Sequence, residues 1–155
     1  MVGALVAATL PAAWAPGIGA ADAFADGRQG TVAFVVRTER SRITAREQSR
    51  FMLHVDRRLP ARHREYGMRL LRTVVHTQRW GIAEVAPAGW ALAFKGGWGK
   101  GPGRAHHQVA LLQRGAERVS VAILTAGQGT HRYGTETLRR VAKRLLRRLR
   151  SQSFA

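Results

Sequence analysis

The segment 84–129, EVAPAGWALAFKGGWGKGPGRAHHQVALLQRGAERVSVAILTAGQG, decides the fold, because three apolar runs are separated in it by glycine-containing links. In Ala88–Phe94 the side chains of Trp90, Leu92 and Phe94 fall on one side of a two-residue period, the repeat of a β-strand. Glycines at 96, 97, 99, 101 and 103 follow, and these are expected to stop the strand in a turn. His107–Gln113 is a second run, Gly115 lies in the next link, and Val119–Thr125 is a third. Both alternating sets of the third run, Val119, Val121, Ile123 and Ser120, Ala122, Leu124, are nearly all apolar, which predicts a central strand covered on both faces. The segment therefore predicts a three-strand meander with Lys95-Gly96-Gly97-Trp98 at the end of its first strand.

Working outward, Thr135–Arg150 carries Leu138, Val141, Leu145 and Leu149 at spacings of three and four, with Ala142 and Leu146 widening the stripe. Like charges four apart, such as Arg139/Lys143 and Arg140/Arg144, each cost this helix about 0.2–0.5 kcal/mol. Burying four apolar side chains at about 1.5–3 kcal/mol each outweighs that several-fold, even with a compact unfolded state as the reference. The helix is expected to dock on the sheet, and its late arginines also complement the helix dipole.

Upstream, Ser41–Leu59 reads as a helix opened by a capping box, Thr44 with Glu47 three residues on, carrying Phe51, Met52, Val55 and Leu59 and ended by Pro60. A second helix over Arg62–Val75 carries Tyr66, Leu70, Leu71 and Val74, and Gln78-Arg79-Trp80-Gly81-Ile82 leads into the meander. Thr31–Val36 reads as a short buried strand. Residues 1–30 differ in composition, being rich in Ala and Gly with only Asp22, Asp26 and Arg28 charged, and are expected to form a leader or flexible segment ahead of a folded region over 31–155. Val2–Leu10 with Ala23-Phe24-Ala25 suggests an export signal; the absence of a basic n-region and the presence of Pro11 and Pro16 argue against one. The apolar run is far short of the ~20 residues of a membrane span.

The 155 residues suffice for one domain with a core. Without cysteine the chain can have neither disulfides nor thiolate chemistry. The net charge of +17 has two readings, attraction to nucleic acid or an anionic envelope polymer, and arginine-rich composition alone, since only Lys95, Lys100 and Lys143 are lysine and the arginines are spread along the chain. Weak nonspecific polyanion binding follows from either. His106 and His107, adjacent on a strand, point to opposite faces and so make a poor metal pair; His54, His63, His76 and His131 are scattered among arginines and read as surface residues. Glu84, Glu117 and Glu136 show no paired spacing, and glycines 96–103 precede no Walker-type Gly-Lys-Ser/Thr. No metal site and no cofactor is expected.

The order strand with Lys-x-Gly, strand, strand, C-terminal helix, preceded by a helical pair and a Trp-Gly-Ile segment, resembles the C-terminal part of the serine β-lactamase and penicillin-binding superfamily, most closely class A β-lactamase-related proteins. The resemblance runs from about Ser41 to the end. It implies an α/β (α+β) fold, an antiparallel sheet with flanking helices, with the N-terminal half of the family fold missing and a strand edge left open for self-association. It also implies a secreted or cell-envelope location and a β-lactam-like or peptidoglycan-derived ligand. In the family a Lys-Thr-Gly or Lys-Ser-Gly motif walls the active site, and the match here is Lys95-Gly96-Gly97. By position, Lys95 would supply the charge that favours a substrate carboxylate, and Gly97 and Trp98 would place a backbone N–H, that of Trp98, as oxyanion donor. Gly96 cannot supply the family's hydroxyl. Lys95 also has a plainer reading, as a solvated strand-end cation before a glycine turn.

Acyl transfer in this superfamily further needs Ser-x-x-Lys and a Ser-x-Asn motif. None of Ser41, Ser49, Ser120, Ser151 and Ser153 has lysine three residues on, and the chain contains no asparagine, which also removes the class A deacylation loop. No residue is therefore assigned a catalytic role. The expectation is a serine hydrolase homologue that is catalytically incomplete, the alternative an arginine-rich binding module.

Overall fold

The computed structural model describes residues 4–9, 35–37, 42–99 and 105–151, with side chains placed over 43–99 and 105–149. Chain order is β1 (Ala4–Thr9), β2 (Val35–Arg37), β3 (Arg42–Thr44), α1 (Ala45–Leu53), α2 (Val55–Arg58), α3 (Ala61–Arg72), a 3-10 turn (His76–Gln78), α4 (Ile82–Val85), β4 (Ala91–Trp98), β5 (His106–Arg114), β6 (Glu117–Thr125), α5 (His131–Leu145) and α6 (Arg147–Ser151). The main sheet has the order β1-β6-β5-β4, all antiparallel; β2 and β3 form a separate two-stranded ribbon. It is an α+β architecture with the expected meander, registered Lys95 to Val109 and Trp98 to His106 across the first pair.

β4 ends at Trp98, so Lys95-Gly96-Gly97-Trp98 closes the first strand as expected; the glycines at 96 and 97 do not stop it sooner, because every one of its residues has a partner on the longer β5. Part of the segment expected to be a leader is sheet, since Ala4–Thr9 pair with Thr125–Ser120 of β6. The outer strands are β1 and β4, and among the described residues each pairs on one side only, so β4 keeps a strand edge of the kind expected. The rest of 1–30, and residues 31–34 of the expected first strand, lie outside the described residues.

The helix starts are local chemistry. Thr44 accepts a hydrogen bond from Glu47 N at 3.0 Å and its own N–H donates to Glu47 Oε2 at 3.0 Å, the reciprocal capping box expected from the sequence. The helix it opens is shorter than 41–59: residues 42–44 are strand, and His54 interrupts between α1 and α2. The last helix starts earlier than expected, at His131, because Thr130 caps it by accepting from Tyr133 N at 3.1 Å. It breaks at Leu146 and resumes as α6.

α4, α5 and α6 cover one sheet face. Leu138, Ala142, Leu146 and Leu149 pack there with Trp90, Phe94, Ala110, Leu112, Val119, Val121 and Ile123 in one apolar cluster, so the terminal helix docks as its stripe predicts. On the other face α1, α2 and α3 bring Met52, Val55 and Met68 against Ala93 and Leu111, and Ala45 against Ala122 and Leu124. β6 is buried on both faces from Val119 to Thr125. The stripes read for the upstream helices hold in part: Met52 and Val55 are buried and Leu59, Leu71 and Val74 pack beside the core, whereas Phe51, Tyr66 and Leu70 are exposed and Met68 is buried instead. Arg58 lies over the Phe51 ring and Arg69 over Tyr66, which shields part of that apolar surface.

Candidate functional site

The residues singled out in the sequence sit at the free edge of the sheet, on the C-terminal half of β4. Gly99 N–H donates to Ala105 O at 3.2 Å, which makes the opposed 99/105 pair a hydrogen-bonded one. Antiparallel pairs alternate, so at Trp98 and Gly96 the N–H and C=O groups point away from β5, off the open edge. Lys95 is exposed, and its Nζ folds back to donate to the outward Gly96 carbonyl. A cavity of about 350 Å³ lies along this edge, bounded by Lys95, Gly96 and Trp98 on the strand and by Thr73, Val75 and Gln78 beyond α3. A cation and two outward N–H groups thus converge on one trough, an arrangement suited to an anion or to a carbonyl gaining negative charge.

Beside it is a group of rings that the sequence reading did not connect. Residues opposite on paired strands share a face, which puts Trp98 and His106 side by side toward α5. His106 is 3% exposed, and its Nε2 lies 3.0 Å from Nδ1 of His131, the first residue of α5. Trp80 meets Trp98 edge-on at 5.4 Å and His131 at 5.5 Å, and Trp98 lies 5.8 Å from His131. His131 is on the surface, as expected, but engaged with this cluster. Two glycines make the arrangement fit. A Cβ on Gly134 would stand 2.4 Å from the His106 ring, so α5 can approach β5 this closely only with glycine there. Gly81, at φ 68°, would put a Cβ 2.3 Å from Gln108 Oε1. That buried amide holds the Trp80–Ile82 turn by accepting from Ile82 N and donating to Trp80 O, both at 2.8 Å. Trp98, His106, Gln128, Thr130 and His131, with Gly99 and Gly129, line a second groove of about 370 Å³.

The adjacent hollow of about 410 Å³ is charged, with Arg132, Arg139 and Arg140 around Glu84 and Glu136. Glu136 is held by Arg139 at 2.7 Å and Arg140 at 2.5 Å, and these guanidiniums, Arg139 first, hold its carboxyl down at about 2. On β5 the His107 imidazole is pushed below its usual value by burial, and its Nδ1 accepts from Thr125 N at 3.1 Å, which fixes it neutral. No group of three or more metal-ligating side chains is found among the described residues.

The serines lie elsewhere. Ser49 on α1 and Ser120 on β6 are both fully buried on the opposite side of the sheet, with Oγ atoms 2.8 Å apart and Ser120 Oγ also donating to Ser49 O at 2.9 Å. Neither lines the trough beside Lys95. The side chain of Ser151 and residues Ser41 and Ser153 fall outside what is described.

Fold and edge define a β-lactamase-type α+β scaffold. Residues 16–149 match the model of the β-lactamase enzyme family, and the chain belongs to that family. Among solved structures it is similar to the chromosome-encoded β-lactamase of Vibrio parahaemolyticus, at 14% identity and a TM-score of 0.61, over 70% of this chain and 41% of that one. It is also similar to a class A β-lactamase from Mycobacterium abscessus, at 22% identity and a TM-score of 0.55, over 81% and 44%, and to PBP-A, at 16% and 0.58, over 72% and 41%. Another similar structure, L2, was solved in complex with relebactam, at 16% identity and a TM-score of 0.61, over 74% and 44%. The chain spans less than half the length of these structures. No curated protein sequence matches it. Among the described residues no helix is long and apolar enough to cross a membrane.

Proposed function

We propose that this chain is a β-lactamase-fold protein that binds a carboxylate-bearing, β-lactam-like or peptidoglycan-derived ligand along the outer edge of β4 without forming an acyl-enzyme. Lys95 attracts the carboxylate, and the Trp98 N–H, brought to the edge by Gly97, donates to the ligand carbonyl. The observation that carries the reading is the separation of parts. The edge presents its cation and N–H groups, whereas Ser49 and Ser120 are tied to each other inside the opposite layer. A hydroxyl sealed in that way has neither access to a ligand nor a base to activate it.

The test is a backbone-amide NMR titration of the chain with a penicillin. The Gly96 and Trp98 amides are expected to shift saturably, and Lys95→Ala to weaken binding about tenfold, as loss of a charge-assisted contact does. A Cβ at Gly96 would meet only ordinary contacts, at 3.8 Å or more, so Gly96→Thr should fold and, by supplying a hydroxyl, tighten binding about three- to tenfold. Shifts that ignore Lys95, or map away from β4, would discard the reading.

A second reading rests on the outer face of the terminal helices, where Arg132, Arg140, Lys143, Arg144 and Arg147 are exposed. That stripe suits nucleic acid or an anionic envelope polymer. Affinity should fall steeply with salt, and no binding at low ionic strength would remove the alternative.

A further inference from the structure

The groove beneath the Trp98 ring differs in kind from its surroundings. In a chain of net charge +17, none of its described lining residues is Lys, Arg, Asp or Glu. The adjacent hollow, by contrast, is built from three arginines and two glutamates. What the groove offers is hydrogen bonding and an aromatic surface. Gln128 is 0% exposed, and its Nε2 donates to Ala126 O at 3.2 Å, which orients the amide. Its Oε1 is buried with no hydrogen-bond partner among the described residues. Leaving a buried acceptor unsatisfied is costly, so it is poised for a donor from a bound molecule. Thr130 accepts from Tyr133 N and keeps its own hydroxyl proton to give. Trp98 is 46% exposed, its indole forming one wall, and the His131 ring packs beside it with 5.8 Å between ring centres.

We propose that this groove is a binding site for a neutral saccharide. A sugar ring has O–H and N–H donors for Gln128 Oε1, acceptors for the Thr130 hydroxyl, and an apolar C–H face to lie on the indole. A volume of about 370 Å³ is at the small end of ligand pockets and suits one residue of a glycan. A free anion is a poorer occupant, because it has no proton to offer Gln128 and meets no fixed positive charge among the described lining residues. The proposal stands apart from ligand binding along β4, which uses the Trp98 backbone N–H and the Lys95 charge and not the indole.

The experiment is an NMR titration of the full chain with the disaccharide of N-acetylglucosamine, with maltose, and with acetate as the anionic probe. The side-chain amide of Gln128 and the indole N–H of Trp98 should shift saturably with at least one neutral sugar and not with acetate. Trp98→Ala removes a half-exposed ring and should fold; it is expected to weaken sugar binding about tenfold or more. Gln128→Met, close in shape but without the acceptor, also loses the hydrogen bond to Ala126 O; assayed well below its melting temperature, it should still weaken sugar binding. Lys95→Ala should leave sugar binding intact even as it weakens penicillin binding, which separates failure of one reading from failure of the other. Absence of saturable shifts with both sugars, competition by acetate, or sugar binding indifferent to Trp98→Ala would overturn the proposal.

Discussion

The two faces of the sheet are finished in different ways. Against α4, α5 and α6 the packing is one continuous apolar cluster, with Phe94, Leu112, Val121 and Leu138 buried together. Against α1, α2 and α3 the apolar contacts split into two smaller groups, and polar side chains fill the spaces. Ser49 pairs with Ser120 there, and Asp56 takes both Nη atoms of Arg118, at 2.8 and 3.0 Å, while Arg118 Nη2 also donates to Leu53 O at 2.7 Å. The outer sides of these helices expose Phe51, Tyr66 and Leu70 at about half of each side chain. The difference teaches that one face supplies cohesion and the other supplies geometry, so equal truncations on the two sides should not cost the same.

The largest effect belongs to the continuous cluster. Leu138→Ala should destabilise the chain by about 2–5 kcal/mol in denaturant unfolding, whereas Met68→Ala on α3, buried in one of the smaller groups, should fall at the low end of that range, about 2 kcal/mol. Comparable losses on the two faces would break the comparison. Next comes Gly134→Ala, whose methyl must displace the His106 ring or lift α5. It should cost about 1–3 kcal/mol and abolish the coupling between the His106 and His131 ring signals in NMR. A silent Gly134→Ala would mean that α5 does not approach β5 this closely.

The smallest effects are expected in pH dependence, and they belong to the polar side and to the β5 strand. Burial lowers the His107 pKa, so the unfolded chain binds a proton more readily than the folded one; stability should be full above about 6.5 and decline as pH falls through that value. Asp56 is lowered by its hydrogen bonds to Arg118, so its contribution is present above about 3.8 and is lost on further acidification. His107→Gln should flatten the first decline and Asp56→Asn the second, the latter also costing about 1–2 kcal/mol at neutral pH. A melting temperature constant from pH 7 to 3 would contradict both assignments.

Much of this is legible in the amino-acid sequence alone. The meander, the docked terminal helix and the Thr44–Glu47 cap were readable because period-two and period-3.6 patterns and a capping box are local signals. That β4 pairs through Gly96 and Gly97 was not, since glycines look like a stop until the pairing to β5 is known. Which side of α3 faces the core, burying Met68 and exposing Tyr66 and Leu70, depends on what the helix rests against. The motif singled out Lys95, Gly97 and Trp98 at the end of the first strand, but that this strand is an outer one follows only from the sheet order. The ring cluster was missed, because its members at 80, 98, 106 and 131 meet only through the register of β4 with β5 and the approach of α5. One clue was available: Thr130 is a good N-cap, which puts His131 in the first turn of the last helix and turns it toward the strand ends.

The most direct test of the account is intact-mass spectrometry of the chain after prolonged incubation with a penicillin. The account predicts an unmodified mass at every time point, because no serine of the chain has lysine three residues on and, among the described serines, Ser49 and Ser120 are buried against each other. A mass increase of one penicillin, mapped by peptide digestion to any serine of this chain, would contradict it.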